Sequence, residues 1–170
     1  MTPENAAVPM LPGLRDPSRR VSRRAVAYWT VRAALDGLIL LGAEVAVAAG
    51  TGLSAAWVIA IALTLVVMAG YVLIMPRWRY RVHRWEVTAD AVYTRTGWLS
   101  VTWRIAPISR IQTIDSHRWF GERLFGLANV TATTASAAGP VHIRGLDTAT
   151  ADRLLDELTA ATGALPGDAT

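Results

Sequence analysis

Hydrophobic positions run almost unbroken in two stretches and alternate in a third, and these patterns divide the chain. Ala25 to Ala49 and Leu53 to Met75 are apolar runs, each long enough as a helix to cross a hydrocarbon core of about 30 Å, which takes roughly 20 residues. Only Gly50, Thr51 and Gly52 separate them, so the pattern predicts a tight helical hairpin whose outer ends share one side of a membrane. From Trp98 to Ile105 the pattern alternates, with Leu99, Val101, Trp103 and Ile105 on one face and Ser100, Thr102 and Arg104 on the other. That is the period of a half-buried strand.

Aromatic and β-branched residues predict two earlier strands, Tyr80 to Val87 and Ala91 to Thr96, around a turn at Thr88-Ala89-Asp90. Later strands fit Ile111 to Arg118, Leu127 to Ala135 and, after the turn-like Ala137-Ala138-Gly139-Pro140, Val141 to Arg144. Short strands in sequence with tight connections favour an antiparallel meander. Asp147 is a good N-cap, Ala151, Leu154, Leu155 and Leu158 recur at helical spacing, and Gly163 with Pro166 supplies the stop, so a final helix caps the bent sheet. The predicted class is α+β. An Arg-rich segment spans 1–24, a transmembrane hairpin 25–75 (helices 25–49 and 53–75), a single domain 77–165 and a tail 166–170.

Charge adds an orientation. Arg15, Arg19, Arg20, Arg23 and Arg24 precede the first apolar run, and Arg77, Arg79, Arg81 and Arg84 follow the second. Positive flanks stay cytoplasmic, which places both ends and the domain in the cytoplasm. Tyr28, Trp29, Tyr71, Trp78 and Tyr80 suit the headgroup level on that face. A secretory signal is the competing reading of the first run, but Arg32, Asp36 and Glu44 interrupt its core and a second span follows at once.

A length of 170 residues leaves room for the hairpin and one domain with a single modest core. Cysteine is absent, which excludes disulfides, thiolate metal sites and cysteine nucleophiles. All 17 basic residues are Arg. Residues 76–144 hold ten Arg against four acids, net +6, whereas over 147–168 Arg153 opposes five acids, net −4. An anionic leaflet attracts such basic groups, so the sheet is expected to face the bilayer and the helix the cytosol. Nucleic acid is a poor partner for a tethered domain without a recognisable binding motif.

Within the apolar runs, Arg32 and Asp36 are one turn apart and can pair. Asp36 falls near the middle of its predicted span, with Glu44 about 12 Å further along. An ionisable group at bilayer depth costs at least ~2.5 kcal/mol, which leaves three readings. The acids form a proton-linked or substrate-sensing site; or Arg32 reaches the cytoplasmic face while neutralising Asp36, with Glu44 at the outer interface or protonated; or Asp36 meets Thr64 across the hairpin, or a second copy of the protein, as polar glue. Gly42, Ala46 and Gly50, and Ala56, Ala60 and Thr64, supply small-residue stripes for close helix contact or self-association. Catalysis finds little support. His83, His117 and His142 lie on different predicted strands without metal-ligand spacing, and neither a nucleophile elbow nor a Gly-rich phosphate loop is present. The expectation is a non-enzyme without metal or cofactor.

The run Ile105-Ala106-Pro107-Ile108-Ser109-Arg110-Ile111-Gln112-Thr113-Ile114, followed by Arg123-Leu124-Phe125-Gly126-Leu127-Ala128-Asn129-Val130, resembles the bacterial PH (pleckstrin-homology) domain of YdbS-like membrane proteins. The resemblance covers roughly residues 79 to 162, and a preceding two-helix hairpin is typical of that family. It implies a PH-like, strongly bent antiparallel barrel with a capping helix, at the bacterial cytoplasmic membrane, in a non-enzymatic role. The chain departs from the pattern by inserting Ala106 before Pro107 and by a short loop before Val141.

The motif residues Pro107, Ile111, Gln112, Leu124, Phe125 and Gly126 read as architectural. Pro107 ends a strand and stiffens a corner, Ile108 and Ile111 anchor the next segment, Gly126 supplies a turn, and Leu124, Phe125 and Leu127 lock that corner to the core. The loop Trp119 to Gly126 either docks a membrane or partner or folds back on the domain. The function expected is a membrane-anchored interaction module. Its domain engages a protein partner, a second copy or anionic lipid headgroups through Arg77, Arg79, Arg81, Arg84, Arg104, Trp119, Phe120 and Arg123. The alternative is a small subunit or sensor in transport or envelope-stress tolerance, built on Asp36 and Glu44.

Overall fold

Two 28-residue helices, α1 (Arg24–Thr51) and α2 (Ala55–Val82), pack antiparallel. The computed structural model describes residues 16–135 and 139–163. Arg15, the Ala137-Ala138 turn, Pro166 and the 166–170 tail lie outside the described residues. Each helix is about 42 Å long at 1.5 Å per residue, longer than either apolar run. The extra turns explain the difference. Ala25 and Trp29 at the start of α1, and Met75 and Val82 near the end of α2, are buried, with Ala25 and Trp29 in the domain core. Tyr80 to Val82 are therefore helical, and Pro76 sits inside α2. Tertiary burial overrides the local strand signal of this segment.

The remaining parts of both helices stay apolar and uncovered, with Ile39 73% and Val66 71% exposed. Surface of this kind, on helices long enough to cross a bilayer, calls for a non-aqueous surrounding. The helices meet along Ala33, Gly37, Leu41, Glu44 and Ala48 on α1. A Cβ at Gly37 would lie 2.3 Å from Met68 Sδ, whereas Gly42 and Gly50 have nothing within 4 Å. The small-residue stripe expected at Gly42, Ala46 and Gly50 thus points outward.

After the helices come β2 (Arg84–Val87), β3 (Ala91–Gly97) and β4 (Val101–Pro107), a 3-10 turn at Ile108–Arg110, β5 (Ile111–His117), the short helix α3 (Phe120–Leu124), β6 (Leu127–Thr134), β7 (Val141–Asp147) and α4 (Thr148–Gly163). A two-residue strand precedes the hairpin, β1 (Arg19–Arg20). Among the described residues the strands form two antiparallel sheets, β1-β2-β3-β4 and β5-β6-β7, which do not join into a closed barrel. Trp85, Val92 and Ala106 from the first sheet, Leu127, Val130 and Ile143 from the second, and Ala151, Leu154 and Leu158 from α4 share one core. Asp147 caps α4 by accepting from the Thr150 N–H at 3.0 Å.

The N-terminal segment is stitched into this domain. Asp16 pairs with Arg95 at 3.1 Å, the Ser18 N–H donates to Glu86 at 2.9 Å, and the Ser22 N–H donates to the Gly145 carbonyl at 2.8 Å. Strand β4 inverts the expected facing. Leu99 is 83% exposed and Val101 and Ile105 are exposed, while Ala106 is buried against Val92. Alternation defines two faces without saying which one turns inward.

Gly145 is where β7 meets α1. Its φ of +77° is left-handed, and an added Cβ would lie 3.0 Å from the Ala25 Cβ and 3.5 Å from the Trp29 ring. We expect Gly145→Ala to destabilise the domain by about 1–3 kcal/mol through strain and overpacking. Gly42→Ala should leave the thermal midpoint of the detergent-solubilised full chain unchanged. Equal midpoints for the two variants would show that α1 is not held at this contact.

Candidate functional site

Three residues of α2 at helical spacing, Tyr71, Met75 and Arg79, and His83 just past its end, face the β3–β4 hairpin across a cleft of about 580 Å³. The hairpin tip reaches along α2, away from the core, until Trp98 meets the Tyr71 ring edge-on at 5.7 Å. A second cleft of about 770 Å³ lies against α1 and α3, lined by Tyr28, Arg32 and Trp119. Arg79, His142 and Arg144 line both.

Arg79 is held on two sides. Its guanidinium lies 4.5 Å from the Trp29 ring centroid, and its Nε–H donates to His83 Nε2 at 3.4 Å. Burial, and then the neighbouring Arg79 charge, pushes His83 down to about 4. A neutral His83 bearing its proton on Nδ1 donates to the Arg79 carbonyl at 2.9 Å and presents Nε2 to the guanidinium. His142, bonded to Thr131 Oγ1 at 3.1 Å, is also held below its usual value, by burial first and then by Arg144 and Arg104. Arg104 projects from β4 and donates to the Pro140 carbonyl at 2.9 Å. No carboxylate is among the described residues lining the first cleft.

The basic residues expected to act together are divided. Arg79 and Arg104 enter the cleft, Arg77 and Arg81 are exposed on α2, and Arg84 lies in the first sheet between Arg20 and Arg95. Trp119, Phe120 and Arg123 are exposed beside α1, where α3 is moored by the Tyr28–Phe125 edge contact at 5.7 Å. The segment read as a loop is helical because Glu122 accepts from the Trp119 N–H at 3.0 Å and from Asn129 Nδ2 at 2.7 Å. Asn129 in turn accepts the Gly145 N–H at 2.9 Å. Leu124 does not lock the corner to the core, being 71% exposed, while Phe125 and Leu127 do pack against it or within it. Gln112 is exposed at a bulge in β5, whereas Ile111 packs on the core. Gly126 takes φ +63°, and its carbonyl receives both the N–H and the hydroxyl of Thr148.

The apolar helices bring a different pair together than expected. Thr64 donates to Glu44, not Asp36, at 2.7 Å, and Glu44 Oε2 is buried without a partner. Asp36 instead lies 3.9 Å from Arg32, both side chains exposed. Sequence reasoning missed Arg144. The alternation of β7, with Val141 and Ile143 in the core and His142 and Arg144 opposite, was the available signal.

A model of the bacterial PH domain family matches residues 36–162. A transmembrane protein of Bacillus subtilis (strain 168), YdbS, is 34% identical over 89 residues, which are 52% of this chain and 54% of that protein. The chain thus spans about half the length of this curated relative. No solved structure matches.

His83 generates a pH prediction. Its folded value near 4 lies below the ordinary 6.5, so between these values the unfolded state binds more protons and stability rises with pH. The domain should be fully stable above about pH 6.5 and lose about 3 kcal/mol as pH falls towards 4. Thermal midpoints measured over that window should flatten in His83→Gln. An unchanged slope would assign the acid sensitivity elsewhere.

Proposed function

Since the chain belongs to the bacterial PH domain family, we propose that it is a non-enzymatic interaction module. A transmembrane helical hairpin anchors it in the bacterial plasma membrane, and its PH-like domain engages the anionic cytoplasmic surface. One observation carries the reading. The hairpin helices run directly into the domain core, where Ala25 is fully buried and Trp29 and Val82 nearly so. A domain fused to its anchor in this way stays at the bilayer surface.

Two apolar projections then face the membrane. The hairpin tip carries exposed Leu99 next to Trp98 on Tyr71, and α3 carries exposed Trp119, Phe120 and Leu124 beside Arg32 and Tyr28. Aromatic side chains favour the headgroup level, and arginines reach it with long stems. The arginines flanking both helices put this face, and both ends of the chain, in the cytoplasm.

The absence of cysteine makes single-cysteine labelling direct. In full-length protein reconstituted with brominated phospholipid, an environment-sensitive dye on Leu99→Cys or Phe120→Cys should be quenched, and one on Asp156→Cys, on exposed α4, should not. In intact cells an impermeant maleimide should label Thr51→Cys, and Asp156→Cys only after permeabilisation. Unquenched dye at both apolar projections overturns the surface-seated reading, and the reverse labelling pattern overturns the orientation.

A second reading rests on the Glu44–Thr64 contact. Removing the two docked turns leaves about 31 Å of α1 for the bilayer, whose midpoint lies closer to Glu44 than to Asp36. There one carboxyl oxygen accepts from Thr64 and the other is buried without a partner. If this acid senses or couples protons, Glu44→Gln abolishes cellular activity while Asp36→Asn preserves it. Activity retained in both variants removes the reading.

A further inference from the structure

We propose that the cleft between α2 and the β3–β4 hairpin seats the phosphate of an anionic phospholipid headgroup, held by Arg79 and Arg144. The proposal rests on the surface-seated reading above and names the ligand of that surface. Arg79 is positioned before any ligand arrives. Trp29 stacks on its guanidinium at 4.5 Å and His83 fixes its Nε at 3.4 Å. A pre-oriented guanidinium loses little freedom on binding and matches phosphate geometry with paired donors. Arg144 lines the same cleft from β7, and Arg104 lines it from β4.

The like charges of Arg79 and Arg144 at one cavity repel each other unless an anion joins them, and no described residue lining this cleft is acidic. The two histidines sharing it are both held below their ordinary values in part by these arginines. They leave the positive charge to the guanidiniums and add none of their own. Thr94, Thr96 and Thr102 line the cavity from the inner face of the first sheet and supply neutral donors for further phosphate or glycerol oxygens. A volume of about 580 Å³ lies within the range of small-ligand sites.

The choice of a lipid over a free phosphate comes from the lip. Tyr71, Trp98 and Leu99 border the cleft where α2 leaves the domain for its apolar part. A headgroup seated on Arg79 has an apolar exit there for its acyl chains. A soluble phosphate gains nothing from that edge.

The test uses the full chain, purified and delipidated in detergent and titrated calorimetrically with dihexanoyl phosphatidylglycerol, dihexanoyl phosphatidylcholine or inorganic phosphate. Phosphatidylglycerol should bind most tightly. Arg144→Gln should weaken that binding at least about tenfold, the scale of one charged hydrogen bond. Arg110→Gln, at an exposed position beside α4, should not. Arg144→Lys, which keeps the charge but loses the paired donors, should fall between wild type and Arg144→Gln, and it serves if the glutamine variant fails to fold. Equal binding by wild type and both Arg144 variants overturns the proposal, as does equal affinity for the two lipids. Inorganic phosphate binding as tightly as phosphatidylglycerol overturns the lipid as source. Failure here with the Leu99 quenching retained rejects the headgroup seat alone; loss of that quenching rejects the surface-seated reading itself.

Discussion

The contact of the first turns of α1 with the domain is the constraint on which the remaining architecture depends. Gly145 lets β7 approach Ala25 and Trp29 so closely that an added Cβ would lie 3.0 Å from the Ala25 Cβ. The same glycine is bonded through Asn129 to Glu122, which holds α3. Anchor, second sheet and the aromatic helix are therefore coupled through one point of close packing. Because α2 returns antiparallel and ends in the same core, the orientation of the domain is set by helix packing rather than by a linker.

Arginine chemistry recurs around this frame. Arg19 lies over Trp85, Arg20 over Tyr80, Arg79 over Trp29 and Arg95 over Trp103, at 4.5 to 5.8 Å from the ring centroids. A planar, weakly hydrated guanidinium stacks on a ring and still donates at its edges, which a lysine ammonium does not. Arg95 illustrates the double use, covering Trp103 while it bonds both oxygens of Asp16 at 3.1 and 3.2 Å. Such a contact contributes about 0.5–1 kcal/mol at an exposed site and about 2 kcal/mol where the ring is buried, as Trp29 and Trp85 are.

Docking the helix ends also shifts the polar groups relative to the bilayer. The segment that looked like the start of a span serves as core, so Asp36 moves towards the domain end of the hairpin and pairs locally with Arg32. Glu44 takes the deeper position, on the helix contact face beside Thr64. The hairpin contains one exposed ion pair at its edge and one hydrogen-bonded carboxyl inside, two environments that residue spacing alone could not separate.

Local chemistry made much of this protein legible. The apolar runs, the order of strands, the Asp147 cap and the left-handed Gly126 corner follow from periodicity and from residues whose conformational preferences act within a few positions. The PH-like motif was legible through its resemblance to a known family. Strand β1 was not legible, because two arginines carry no alternation and pair only through distant partners on β2. Which face of β4 turns inward, how far the helices penetrate the core, and the meeting of Arg79, Arg104 and Arg144 were decided by tertiary structure alone. Each depends on contacts between segments far apart in the chain, and a period of two or of 3.6 residues specifies a face without specifying what will cover it.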